Sequence, residues 1–230
     1  MGGMSRSGLF QVVIDGLFPP TCQGCGISDT WLCATCVRNV PMVAEDQPVM
    51  PGVQAVLSFG WYAHPLWRIL LTSLKYQSAW CLTSAFEDLL KRVRRERYAP
   101  WPWAGERALI IVPIPPDSKR VRRRGCDHTM ILAQCVKRVL LPWADVRPSL
   151  KKVGHTISNA RLPTDVTRKV NVWGSFICED AIDHSILLID DVMTTGATLA
   201  EGVRALQQAG SSKIFILTFA HADALIPSSS

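Results

Sequence analysis

The sequence predicts an α/β fold, a mainly parallel sheet with a small cysteine-rich module ahead of it. Three observations carry that reading. ALIIVPIPP (Ala108 to Pro116), SILLID from Ser185 and KIFILTFAHA from Lys213 are short, apolar and rich in β-branched residues. Such runs suit strands buried on both faces of a parallel sheet. Segments with helical spacing separate them, and strands alternating with helices imply crossover units. Finally, four of the eight cysteines fall between Cys22 and Cys36.

The elements follow in order. Residues 8–18 form a short apolar stretch of one or two helical turns, ended by Pro19 and Pro20. The cysteine module runs to about Val40. Residues 41–52 carry three prolines, two acids and no regular period, which reads as a linker. VQAVLSFGWY from Val53 looks like a strand. Pro65 can open a helix on which Leu66, Ile69, Leu70 and Leu74 share a face. Ser84 to Tyr98 reads as a second helix with a basic end, stopped by Pro100. After ALIIVPIPP and a basic loop, Ile131, Cys135 and Val139 mark a third helix. Residues 147–180 are polar and irregular until Val172 to Cys178. TLAEGVRALQQAG is the last helix, with Leu199, Val203 and Leu206 as its apolar stripe and Gly210 as its stop. These boundaries divide the chain into residues 1–45, an N-terminal segment with the cysteine module, and 53–230, the sheet domain.

Composition narrows the function. Of 230 residues, 48% are hydrophobic and 19% charged, which excludes a disordered chain. The apolar runs fall far short of the roughly 20 residues that span a bilayer. With no signal-peptide layout in the first residues, the expectation is a soluble cytoplasmic protein without membrane insertion. The net charge of +6 favours an anionic partner, either a nucleic acid or a phosphorylated metabolite.

The segment from Ile186 to Thr198, ILLIDDVMTTGAT, carries the chemistry. An apolar strand runs into Asp190 and Asp191, and ligands of open α/β sheets sit at the carboxyl ends of strands. Carboxylates accept hydrogen bonds from sugar hydroxyls and repel phosphate. The bend beyond them does the opposite. Gly196 permits a positive φ and close backbone approach. The amides of Thr195, Gly196, Ala197 and Thr198 can converge on an anion at a helix N-terminus, and Thr194, Thr195 and Thr198 add hydroxyls. Thr198 and Glu201 also have capping-box spacing. Acids for a diol beside donors for a phosphate match a ribose 5-phosphate. The segment resembles the signature of the type I phosphoribosyltransferases, which bind 5-phosphoribosyl 1-pyrophosphate (PRPP).

A second anion site is expected in the loop with Lys119, Arg120, Arg122, Arg123 and Arg124, ending at Gly125. It leaves the carboxyl end of another parallel strand and should share an edge with Asp190. Arg124 and Gly125 are its pyrophosphate-binding candidates, since guanidinium groups contact phosphate oxygens in pairs.

Cys22-x2-Cys25 and Cys33-x2-Cys36 are separated by seven residues. Each pair can offer two thiolates to one ion, and four thiolates suit a structural Zn²⁺. A module this small buries too little surface to fold alone, so the metal supplies folding energy.

With these motifs in hand, the chain resembles the ComF family, which joins an N-terminal zinc ribbon to a phosphoribosyltransferase-like domain and is linked to DNA uptake by competent bacteria. LFPPTCQGC is similar to the family's entry to its ribbon. Leu74-Lys75-Tyr76, IVPIPP, Arg124-Gly125, and Arg168 with Asn171 and Phe176 are similar to its further elements. The chain departs from the family at Cys126-Asp127-His128 and at Asn159. The resemblance implies displacement at C1 of the ribose, with pyrophosphate leaving. Mg²⁺ would accompany the diphosphate, and Asp190 and Asp191 would be catalytic. Lys151, Lys152 and His155 lie in a stretch that could close over the site. Where relatives using 6-oxopurines carry an Asp, this chain has Thr194, which argues against such an acceptor.

The function expected is therefore a PRPP-binding, phosphoribosyltransferase-like protein serving DNA uptake, its acceptor and its status as an enzyme left open. Two alternatives stand beside it: a non-catalytic factor binding single-stranded DNA, and a nucleobase-salvage phosphoribosyltransferase. Other competence proteins are candidate partners. DNA would track the ribbon and the basic run from Lys91 to Arg97, with aromatic rings stacking on bases.

Overall fold

The computed structural model describes residues 20–42, 45–47, 50–76, 82–97, 100–117, 121–122, 125–153 and 174–222. The elements in chain order are α1 (Ala34–Asn39), β1 (Glu45–Gln47), β2 (Ala55–Ser58), α2 (Pro65–Tyr76), α3 (Thr83–Glu96), β3 (Leu109–Pro113), α4 (His128–Val139), β4 (Asp145–Val146), β5 (Leu150–Lys152), β6 (Phe176–Cys178), β7 (Ser185–Met193), α5 (Ala197–Gln208) and β8 (Ile214–His221).

The main sheet has the order β1-β2-β8-β7-β3-β4. Every pairing is parallel except that of the edge strand β1 with β2. The predicted α/β class with a mainly parallel sheet is what the chain forms. β7 and β8 are central, and every residue of β8 is buried. Their unbroken apolar runs reflect helices covering both faces.

Alternation along β7 sorts those faces. Leu187 and Ile189 join the core under α2, α3 and α4, together with Leu70, Phe86 and Val136. Ile186 and Leu188 join the core under α5, with Leu150, Phe176, Val203 and Leu206. Cys22, Leu32, Val37 and Val40 of the cysteine segment belong to the first core. That segment is therefore packed onto the sheet's helical layer.

Three segments differ from the sequence reading. The linker contains β1, three residues that pair antiparallel with β2. The polar stretch yields β5 and β6, a two-stranded antiparallel sheet against α5. Neither strand has the apolar alternation that marks strands in a sequence. Third, the Thr198–Glu201 capping box does not form. Gly196 is the N-cap of α5, at φ 71°, so Thr198 already lies inside the helix. Glu201 is buried and turned toward Arg204, whose guanidinium donates to both its oxygens at 2.7 and 2.8 Å. Gly210 does end this helix, at φ 105°. The apolar stretch 8–18 lies outside the described residues. Among the described residues, no helix is long and apolar enough to cross a membrane.

Candidate functional site

Parallel strands end on one edge of the sheet, and there β3 and β7 run side by side, Pro113 opposite Ile189. The Ile114 N–H donates to the Ile189 carbonyl at 2.8 Å, which holds the exit of β3 against β7. A cleft of about 460 Å³ opens at this edge. Asp190, Asp191 and Thr198 line it from the β7–α5 side, Ile114 to Asp117 from the exit of β3, Thr72 and Lys75 from α2, His128 from α4, and Lys152 and Phe176 from the small sheet.

The acid pair is not at the strand's end but within it, because β7 continues to Met193. Successive strand residues point to opposite faces. That alternation carries Leu187 and Ile189 to the core under α2, α3 and α4 and Ile186 and Leu188 to the core under α5, but it breaks at the acids: Val192 packs with the former and Met193 with the latter, and the two carboxyls lie beside one another in the cleft. Asp191 Oδ2 forms an ion pair with Lys75 Nζ, and His128 Nε2 lies 3.8 Å from the same oxygen. Asp190 Oδ1 accepts from the Asp191 N–H at 2.8 Å. Burial first, and then the adjacent Asp191 charge, pushes the Asp190 carboxyl well above the ordinary carboxylate range, against the pull of that N–H and of Lys75. The two acids on this edge thus have distinct partners: Asp191 is ion-paired with Lys75, and Asp190 is held by the Asp191 N–H.

Beyond them the chain turns into α5. Thr194 and Thr195 are exposed, Ala197 and Thr198 half-buried. The Ala200 N–H takes the Gly196 carbonyl at 2.8 Å. The N–H groups of Thr198 and Leu199, the two residues before it, have no acceptor within the helix, as at every helix start. Gly196 is the one position here where glycine is required. Its φ is left-handed, and a Cβ would meet Met50 Cε at 2.6 Å. Met50 therefore covers the Gly196 side of the bend while the threonines stay open.

The loop leaving β3 starts in the same cleft, with Asp117 on its wall. Arg122 and Gly125 are exposed, and Gly125 has φ 74°. Lys119, Arg120, Arg123 and Arg124 lie outside the described residues, as do His155, Asn159, Arg168 and Asn171. The departure Cys126-Asp127-His128 has a structural account. Asp127 caps α4, accepting from the Met130 N–H at 3.0 Å and from Thr129 Oγ1 at 2.7 Å. Its neighbour His128 is thereby aimed at Asp191. Lys75 and His128 escaped the site prediction because they come from α2 and α4, far from the motif. Lys75 stood only within a family element.

Cys22, Cys25, Cys33 and Cys36 converge, with their sulfurs all within 4.8 Å of one another. Four thiolates about 2.3 Å from a tetrahedral Zn²⁺ lie about 3.8 Å apart, and Cys25 Sγ to Cys33 Sγ is 3.7 Å. The donor set and spacing therefore fit such an ion. The Cys33 N–H donates to Cys22 Sγ at 3.2 Å, and the Cys36 N–H to Cys33 Sγ at 3.4 Å. Burial opposes ionisation of Cys22, but donors from the backbone of Cys33, Cys25 and Gly24 bring its thiol down to about 6. Burial and the neighbouring sulfurs push Cys36 up. At Gly24 a Cβ would lie 2.6 Å from Cys36 Sγ, so the first knuckle admits only glycine. This is the only cluster of three or more metal-suited groups among the described residues. The acid pair by itself is not a cation cage.

The segment docks through Arg92 of α3, whose guanidinium donates to the carbonyls of Val37 and Val40 at 2.6 and 2.7 Å. Beside this contact lies a groove of about 720 Å³ lined by Ala34, Val37, Arg38, Asp88, Lys91, Arg94 and Arg95. Of the tryptophans among the described residues, Trp67 and Trp103 are buried, Trp31, Trp61 and Trp101 are half-buried, and Trp143 is exposed.

No family model matches the chain. Among solved structures it is similar to glutamine PRPP amidotransferase from B. subtilis complexed with ADP and GMP, with TM-score 0.40, 15% identity, and coverage of 64% of this chain and 30% of that one. Adenine phosphoribosyltransferase from Leishmania donovani gives TM-score 0.30 and 12% identity over 79% of this chain and 92% of that one. The chain thus spans less than a third of the amidotransferase. Among curated proteins it is 28% identical over 199 residues to DNA utilization protein YhgH of Escherichia coli O157:H7, covering 84% of this chain and 80% of that protein. It is 27% identical over 217 residues to competence protein F of Haemophilus influenzae, covering 88% and 85%. The resemblance to the ComF family read from the sequence is thereby borne out: over most of its length this chain is a relative of competence protein F.

Proposed function

We propose that the chain binds PRPP in the cleft at the carboxyl edge of its sheet and serves DNA uptake as a ComF-type protein. One observation carries the binding claim. The acid pair, the open threonine bend at the start of α5 and the exit of β3 occupy a single edge. In this reading the 5-phosphate sits on the N–H groups and hydroxyls from Thr194 to Thr198, and Asp190 accepts from the ribose diol with Asp191 behind it. The diphosphate lies toward the loop leaving β3, where Arg124 and Gly125 would meet it. Displacement at C1 breaks the bond to pyrophosphate and forms one to an acceptor, while positive charge builds on the ring beside the two aspartates. Mg²⁺, a hard cation favouring oxygen, would supply charge neutralisation on the diphosphate. The two units of this reading are residues 1–45, holding Zn²⁺ through Cys22, Cys25, Cys33 and Cys36, and residues 53–230.

Calorimetry with PRPP and Mg²⁺ tests it. Binding by the native chain and its loss in Asp190→Asn/Asp191→Asn are expected; a double variant that binds as well as the native chain defeats the assignment. Pyrophosphate release across a panel of acceptors then decides whether turnover occurs.

The groove between α1 and α3 favours a second reading, contact with single-stranded DNA. Arg38, Lys91, Arg94 and Arg95 face one Asp88 there. Lys91→Gln/Arg95→Gln should weaken binding and reduce the salt slope by about one per lost phosphate contact. An unchanged slope removes the groove from the DNA path.

A further inference from the structure

We propose that Lys75 is the resident counter-charge of the acid pair, so that the cleft takes a ribose 5-phosphate without a divalent cation. The inference rests on the cleft being a sugar-phosphate site and adds what that site demands of its ligand.

The geometry is specific. Lys75 stands on the last turn of α2, one residue after the fully buried Leu74, so its Cα is fixed by the core. Its ammonium reaches Asp191 Oδ2 while remaining part of the cleft wall. The Asp191 side chain is 9% exposed, and that of His128, on the other side of the same oxygen, 8%. With the Lys75 side chain 26% exposed on the cleft wall, the pair is partly buried and screened less by salt than a surface pair. The ammonium has three donors, and its contact with Asp191 is one of charge, Asp191 Oδ2 having no hydrogen-bond partner among the described residues. Those donors can serve a ligand hydroxyl or anionic oxygen, as can the Thr72 hydroxyl one turn earlier on the same wall.

A divalent cation would have to enter this arrangement at a cost. Mg²⁺ requires near-octahedral oxygens and keeps several of its waters. Asp191 already holds a cation, and the Asp190 carboxyl beside it is engaged by the Asp191 N–H. The positive charge that a diol-gripping acid pair needs nearby is therefore supplied by the chain. A single 5-phosphate is met by N–H groups, which need no metal. A diphosphate is different. It adds charge at the exit of β3, where Asp117 lines the wall, and there a divalent cation is needed. Ribose 5-phosphate and PRPP should thus differ in metal dependence at one site.

The test is calorimetry with ribose 5-phosphate and, in parallel, PRPP, each in EDTA and in Mg²⁺, on the native chain, Lys75→Arg and Lys75→Met. The native chain should bind ribose 5-phosphate equally with and without Mg²⁺, and PRPP better with it. Lys75→Met should lose about tenfold or more for ribose 5-phosphate in EDTA, the scale on which a buried charge misses its partner, and Mg²⁺ should restore part of the loss. Lys75→Arg should stay close to native. Should Lys75→Met fold poorly, Lys75→Met/Asp191→Asn removes both charges and must still bind ribose 5-phosphate weakly. Native binding that needs Mg²⁺, or a Lys75→Met variant that binds like native, overturns the proposal while leaving PRPP binding intact. Failure of both ligands under every condition overturns the sugar-phosphate reading itself, and this proposal with it.

Discussion

Asp190 is kept in the cleft at a cost to the fold. Its carboxyl titrates above the ordinary range because burial and then Asp191 disfavour its charge. The folded chain therefore holds a proton that the unfolded chain has already released. The sign follows: stability falls as pH rises from the ordinary carboxylate range toward the raised value, and recovers on acidification through that window. Asp190→Asn removes the penalty. At neutral pH the variant should melt a few degrees higher than the ligand-free native chain, and the gap should narrow as the pH drops. Thermal melts from neutral to mildly acid pH check this, and a variant that melts lower at neutral pH contradicts it. Residues of this kind were half legible in the sequence. Asp190, Asp191 and Gly196 are contiguous with the bend they serve, so spacing alone exposed them. Lys75 and His128 were not, because α2 and α4 deliver them to Asp191 from elsewhere in the chain. The same limit hid the break in alternation at the two acids, which shows only in how Val192 and Met193 pack beyond them.

At the scale of elements, the cysteine segment is held by two different means. Its four cysteines, read from their spacing, converge within it. Its attachment, Arg92 on the end of α1 and Val37 and Val40 in the sheet's helical core, could not be read, since nothing in a basic run tells which arginine turns inward. Removing metal and removing the dock should therefore act differently. A strong chelator should release one Zn²⁺ per chain and open residues 20–42 to protease, with the sheet domain left folded. Arg92→Ala should retain the metal but lose about 1–3 kcal/mol, the usual worth of charge-assisted hydrogen bonds. Zinc content and thermal melts separate the two. Loss of zinc from Arg92→Ala, or a chelator that leaves the segment protected, contradicts this division. The buried strands were legible from their apolar runs. β1, β5 and β6 were not, since three-residue strands show no period, and the backbone alone defines them.

For the whole molecule, two concavities with no lining residue in common are present among the described residues: the cleft beside β7 and the groove between α1 and α3. A chain related to competence and DNA utilization proteins could use both, the first for a sugar phosphate and the second for a nucleic acid backbone. The net charge hinted at anions without dividing them between places. The central claim concerns the first. It is tested most directly by a crystal structure of the native chain soaked with PRPP and Mg²⁺. The account predicts the 5-phosphate on the N–H groups of the bend from Thr195 to Thr198, with the ribose hydroxyls within hydrogen-bond distance of Asp190. PRPP density in the α1–α3 groove alone, or a ribose turned away from Asp190 and Asp191, would contradict it.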